Sequence, residues 1–176
     1  VLISKAHAAK ENAVNPASPE HRPLLGRQEY TGALDQLIGL ASRTLRIFDH
    51  NLEGAGYETP ARAEALKTFL SAHPANRLYL VAHDLSHLTR GCPRLLALLK
   101  YHGHAIEVRE SVDAAKGIYD PFAVADELHY VHRFHYQQNR AELALDDPDG
   151  AHALVKRFED LWLASIPSAP ATTLGI

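Results

Sequence analysis

Between residues 27 and 109 the hydrophobic period switches repeatedly from helical to strand and back, and this alternation restricts the fold more than any other feature. Over residues 27–43, Tyr30, Leu34, Leu37, Ile38 and Ala41 recur at helical spacing and predict an amphipathic helix. Residues 44–48 read as a strand that releases Asp49, His50 and Asn51 into a loop holding Gly54 and Gly56. Thr59-Pro60 opens a second helix, because Thr is a favoured N-cap and Pro suits the first helical position. Ala65, Leu66, Phe69 and Leu70 form its apolar face. The near-continuous apolar run 76–82 predicts an interior parallel strand. A third helix over 93–102 and a strand over 105–109 complete the series. The order αβαβαβ implies an α/β domain with a mixed, mainly parallel sheet, right-handed crossovers and helices on both faces.

Downstream the pattern changes to a meander. The stretch 119–136 predicts two strands joined by a tight turn at Asp126-Glu127, with Phe122, Val124, Tyr130 and Val131 as β-favouring side chains. Another strand is expected near 141–145, then a helix over 148–164 that buries Leu154, Phe158, Leu161 and Trp162. Asp146, Asp147 and Asp149 stand at the positive end of that helix, where anions are favoured. Residues 1–26, with Pro16, Pro19 and Pro23 among polar residues, read as an arm or linker outside the core. Residues 27–165 form the expected domain and 166–176 an extended tail.

Composition narrows the possible functions. The chain of 176 residues fits one domain, and its 46% apolar content supports a sizeable core. A net charge of -3 gives no global electrostatic case for nucleic acid or acidic lipid. The longest apolar runs, such as Leu95 to Leu99, fall far short of the roughly 20 residues that a membrane span needs. Cys92 stands alone, which excludes an internal disulfide; it reads as a half-buried thiol at a helix start. These features, with no visible signal peptide, lead us to expect a cytoplasmic protein. A chain that begins with Val and holds no Met is expected to have lost its initiator or to derive from a larger product. Twelve histidines are the compositional oddity, and they make the net charge sensitive to pH near 6.

The 119–136 stretch and its sequel resemble the C-terminal half of one phospholipase-D repeat. In that family one strand carries HxKxxxxD, the next leads into GSxN, and an acidic residue follows. Tyr119, Pro121 and Asp126 occupy the first frame here, so of the three signature residues only the Asp is kept. Arg133, Phe134 and Tyr136 stand near the GSxN position, with Asn139 and Glu142 following. The resemblance implies a single phospholipase-D-like half spanning roughly residues 27–164. The runs RQEYTGALDQLIGLASRTLRIFDHNLE, DLSHLTRGCPRLLALLK and LDDPDGAHALVKRFEDLW also resemble a group of bacterial domains with this fold, found alone or behind a GNAT-type acetyltransferase domain. That likeness implies an acetyltransferase domain as a partner in relatives. The single-half likeness implies pairing about a two-fold axis as a homodimer.

The family mechanism uses one histidine to attack phosphorus, a second to protonate the leaving oxygen, and lysines to hold the nonbridging oxygens. A phenol at Tyr119 and an imino acid at Pro121 remove the nucleophile and the fixed charge, and each lost transition-state contact costs about 2–4 kcal/mol. The sequence therefore points to a non-catalytic binding or regulatory module with an anion- or phosphate-binding crevice. The alternative is a phosphodiesterase or nuclease with a rearranged site using His50, His83, His87 or His135.

Ligands in open α/β sheets collect beyond the carboxyl ends of the parallel strands. That rule gathers Asp49, His50 and Asn51 with His83, Asp84, Ser86 and His87, and the meander adds Tyr119, Arg133, His135 and Tyr136. Arg133 would supply a bidentate fork for an anion. His83 and His87 have a spacing that can chelate zinc on a helix, yet they begin at a strand end, so the segment reads as a polar loop in which Asp84 or Ser86 caps the next helix. No metal or other cofactor is called for. Asp126 needs no role beyond closing its hairpin, and His102 and His104 read as solvated.

Overall fold

The computed structural model describes residues 18–168. The elements run β1 (Glu20–Leu25), α1 (Arg27–Leu40), β2 (Thr44–Asp49), α2 (Pro60–Ala72), β3 (Arg77–Ala82), α3 (Ser86–Gly91), α4 (Pro93–Tyr101) and β4 (Ile106–Ser111). A 3-10 turn at Asp113–Ala115 follows, then β5 (Phe122–Ala125), β6 (His129–Arg133), β7 (Arg140–Leu145), α5 (Pro148–Leu163) and β8 (Ser165–Pro167). All eight strands join one sheet in the order β1-β7-β6-β5-β2-β3-β4-β8.

The mixed sheet with helices on both faces is as expected, but its parallel part is smaller. Only β2–β3 and β3–β4 pair parallel; the remaining five contacts are antiparallel. The meander contributes more strands than the crossovers do, because each tight turn adds an antiparallel neighbour without needing a helix.

Strand parity sorts the side chains between two cores. Leu45, Ile47, Leu78, Leu80 and Val131 pack with the residues of α1, α2 and α4 on one face. Phe48, Val81, Phe122, Val124 and Tyr130 meet α5 on the other, through Leu154, Val155, Phe158 and Leu161. Trp162 lies at the edge of that second core and is half-buried, so the expected core position is corrected to a rim position. Its ring takes the Arg109 guanidinium at 4.6 Å and meets Tyr79 edge-on.

Several local expectations hold. Thr59 caps α2 by accepting from the Arg62 N–H, with Pro60 at the first helical position. The hairpin turns at Asp126 and Glu127, whose φ values of 53° and 56° are left-handed; the Leu128 N–H closes the turn on the Ala125 carbonyl, and residues 126–128 separate the paired Ala125 and His129. Asp147 caps α5.

Others change. Residues 20–25, expected in an arm, form edge strand β1 against β7, and Leu24 is buried beneath it. Residues 165–167, across the boundary between the expected domain and its tail, form the opposite edge as β8. Proline at 23 and at 167 suits an edge, where a ladder donor is dispensable. The segment 86–91 is a helix, and neither Asp84 nor Ser86 caps it; Asp84 accepts instead from the Ser86 N–H. Cys92 is fully buried. The rest of the arm and tail calls, residues 1–17 and 169–176, lies outside the described residues.

Candidate functional site

One connection builds the site. β4 lies on one side of β2 and β3, whereas β5 lies on the other, so residues 112–121 must cross the carboxyl ends of the parallel strands. That crossing lays Ile118 and Tyr119 over the ends of β2 and β3. It is fastened by two backbone bonds, Tyr136 N–H to Tyr119 C=O at 2.8 Å and Arg133 N–H to Pro121 C=O at 2.8 Å.

Beneath the crossing, His83 is buried and both its ring nitrogens are engaged. Nε2 lies 2.6 Å from the Ile118 carbonyl and therefore donates; Nδ1 lies 2.5 Å from the Ser111 hydroxyl and accepts. Burial lowers its pKa, against the Ile118 bond, and neighbouring His50 and Lys116 lower it further. Lys116 donates its ammonium to the His83 carbonyl. His83 is thus a neutral strut holding the crossing in place.

Four rings gather next to it. His50 lies flat on Tyr136 with centroids 3.9 Å apart, and meets His83 edge-on at 5.5 Å. His135 stacks on Tyr136 at 5.1 Å and faces Tyr119 at 5.7 Å. His135 Nδ1 accepts from the Gln137 N–H, so its Nε2 carries the proton and is free to donate outward. Tyr119 is 48% exposed.

The other expected site residues do not join these rings. Asp49 is buried and accepts from the N–H groups of Asn51 and Leu52, shaping the loop in which Leu52 takes a φ of 67°. Burial raises its carboxyl pKa, opposed by those two donors and by nearby Arg133. Parity sends Arg133 to the α1 face, where its guanidinium lies 5.1 Å above the Tyr30 ring and Nε donates to the Gln138 carbonyl. Asn51, Asp84, Ser86 and His87 line a separate shallow hollow of about 290 Å³. His87 packs against Gly91 and lies 3.9 Å from Glu58, away from the His83 partners. Among the described residues no three His, Cys, Asp or Glu side chains converge as metal ligands.

Two clusters escaped the sequence. Asp120, between the two degenerate motif positions, takes His132 Nε2 at 2.8 Å and the Arg157 guanidinium. Glu142, whose role the sequence left open, pairs with His21 from β1, and His21 also reaches Asp147 at 3.2 Å. The even spacing of Asp120, Phe122 and His132 in the paired strands was a usable signal for the first. The second required knowing that β1 joins the sheet.

The strand order, the crossing and the two-faced packing define a phospholipase-D fold, and solved structures agree. Nuc from Salmonella typhimurium, a phospholipase D family member, matches with TM-score 0.63 at 12% identity, covering 86% of this chain and 99% of that one. NucT from Helicobacter pylori matches at TM-score 0.58 and 12% identity, over 86% of this chain and 100% of that one. The archaeal chromatin protein TrmBL2, described with a novel mode of DNA binding, matches at TM-score 0.64 and 11% identity over 90% of this chain and 56% of its own. At such identities the likeness is one of fold. No curated protein sequence matches the chain. The chain itself belongs to the family described as Domain of unknown function (DUF7931), which it matches over residues 26–174. No helix among the described residues is long and apolar enough to cross a membrane.

Proposed function

We propose that this domain binds a small anion, such as a phosphate group, at the ring cluster without cleaving a phosphodiester, and that it acts as a dimeric binding or regulatory module. The observation that carries this reading is Tyr119: a phenol stands where the resemblance calls for an attacking imidazole, and it is half-exposed beside the outward donor of His135. Pro121 is buried and its carbonyl is tied to β6, so the place of the phosphate-holding lysine is taken by backbone structure. His83, one of the four imidazoles that the alternative phosphodiesterase reading could use, has both nitrogens occupied. The Tyr119 hydroxyl and His135 Nε2 remain as donors for a bound oxyanion. The exposed rings of Tyr119 and Phe134, each 48% accessible, support self-association.

Calorimetric titration with inorganic phosphate tests the reading. Binding should weaken about tenfold in His135→Ala, the size expected for one charge-assisted hydrogen bond. Phosphate binding that ignores substitutions at Tyr119 and His135 would rule the site out.

A further inference from the structure

A second, larger recess lies away from the rings. A groove of about 770 Å³ runs between the first turns of α1 and α2, the 53–58 loop and α3. Its volume is within the roughly 300–1,000 Å³ typical of sites for small organic ligands. Arg27, Thr31, Glu53, Glu58, Arg62 and His87 are among its lining residues.

Arg62 is the unusual member, a guanidinium only 1% exposed. Nε bonds Asp35 at 2.6 Å, Nη2 bonds the Thr31 carbonyl at 3.1 Å, and Cζ lies 5.0 Å from the Tyr57 ring centroid. Nη1, however, is buried with no partner. The Nε2 atom of His87, lining the same groove, is also buried and makes no hydrogen bond, its nearest carboxylate, Glu58, lying 3.9 Å away. Leaving a buried donor unsatisfied costs about 1–3 kcal/mol, more for a charged group, so two such atoms in one recess point to a missing partner. Glycines make the arrangement sterically possible. A Cβ at Gly54 would lie 2.2 Å from the Arg27 guanidinium, and one at Gly91 would lie 2.8 Å from the His87 ring.

The charges specify the partner. Asp35 is already paired with Arg62. That leaves Arg27, which has no ion pair among the described residues, and Nη1 of Arg62 on the cationic side, against exposed Glu53 and Glu58. The first turns of α1 and α2, which border the groove, add partial positive charge. A dianion would be repelled by the two glutamates, and a simple cation by the guanidinium groups. We infer that the groove binds a small zwitterion carrying both a carboxylate and an ammonium, of the amino-acid or short-peptide class. The carboxylate meets Arg27 and Arg62, and the ammonium meets Glu53 and Glu58.

A nitrogen-15 NMR titration of the full chain tests this, using triglycine and each of the twenty L-amino acids as probes. N-acetyl-triglycine and triglycine amide serve as controls that each lack one charge. We expect saturable shifts at the Gly54, Gly56 and Gly91 amides for triglycine or at least one amino acid. Both blocked tripeptides should bind at least tenfold more weakly than triglycine or leave these signals unmoved. Arg27→Ala, at an exposed position, should weaken the binding about tenfold while preserving the rest of the spectrum. Absence of shifts at these glycines with every probe would overturn the inference, as would blocked tripeptides binding as well as triglycine. Inorganic phosphate reports on the ring cluster instead, so failure at one site is read separately from failure at the other.

Discussion

The His50 ring lies parallel to the Tyr136 ring, 3.9 Å away with 11° between planes, and this stack joins the end of β2 to the segment leaving β6. Stacked aromatic pairs contribute about 0.5–1.5 kcal/mol beyond their area burial. A double-mutant cycle with His50→Ala and Tyr136→Ala should return a coupling energy of that size by urea denaturation.

Asp126 ties its hairpin to the α1–β2 loop. Its carboxylate accepts from Ser42 N–H at 2.7 Å, the Ser42 hydroxyl at 2.9 Å, Arg43 N–H at 2.7 Å and Thr44 N–H at 2.8 Å. Asp126→Ala should destabilise the domain by about 2–3 kcal/mol, because those donors lose an ionised acceptor and Ala dislikes a φ of 53°. Burial pushes the Asp126 carboxyl up, yet the Thr44, Ser42 and Arg43 donors outweigh it and hold the pKa below the usual range. Its folded pKa lies below the unfolded value of about 3.9, so this stabilisation is complete above that pH and vanishes as pH falls through the folded pKa. Urea midpoints measured from pH 6 to pH 2 should fall less steeply in Asp126→Asn than in the native chain.

His83 acts in a higher pH window with its own sign. Burial lowers its folded pKa below the unfolded value of about 6.5, so the unfolded chain takes up the proton first. Its share of stability is full above that value and declines as pH falls toward the folded pKa. The decline between pH 7 and pH 5 should shrink in His83→Gln, and a variant curve parallel to the native one would contradict the assignment.

How far the sequence carried depended on whether the cause was local. Thr59-Pro60, the 76–82 apolar run and the Asp126-Glu127 turn each encode their structure within a few residues, and each was legible. Strand β1 was not, because EHRPLL alternates poorly and becomes a strand only by pairing with β7. The candidate site was half legible. The carboxyl-end rule gathered His50 and His83, whose rings do meet, and the meander brings Tyr119, His135 and Tyr136 beside them. Arg133 and Asp49 went to the other face because strand parity, not sequence proximity, decides direction.

Cys92 is fully buried at the start of α4, and burial, aided by nearby Glu58, pushes its thiol up to about 11. At pH 8 the native protein should leave Ellman's reagent unreacted for as long as it stays folded, and should react promptly in denaturant. Rapid labelling of the native chain would contradict the packing around α4.

On the proposed reading the ring cluster holds an oxyanion and does not cleave it. The direct measurement is release of nitrophenolate from bis-(p-nitrophenyl) phosphate by the native chain, with and without divalent metal ions. Release should not exceed that in buffer. Turnover above that background, abolished by His50→Ala or His135→Ala in a folded variant, would contradict the claim and restore a hydrolytic site built from other imidazoles.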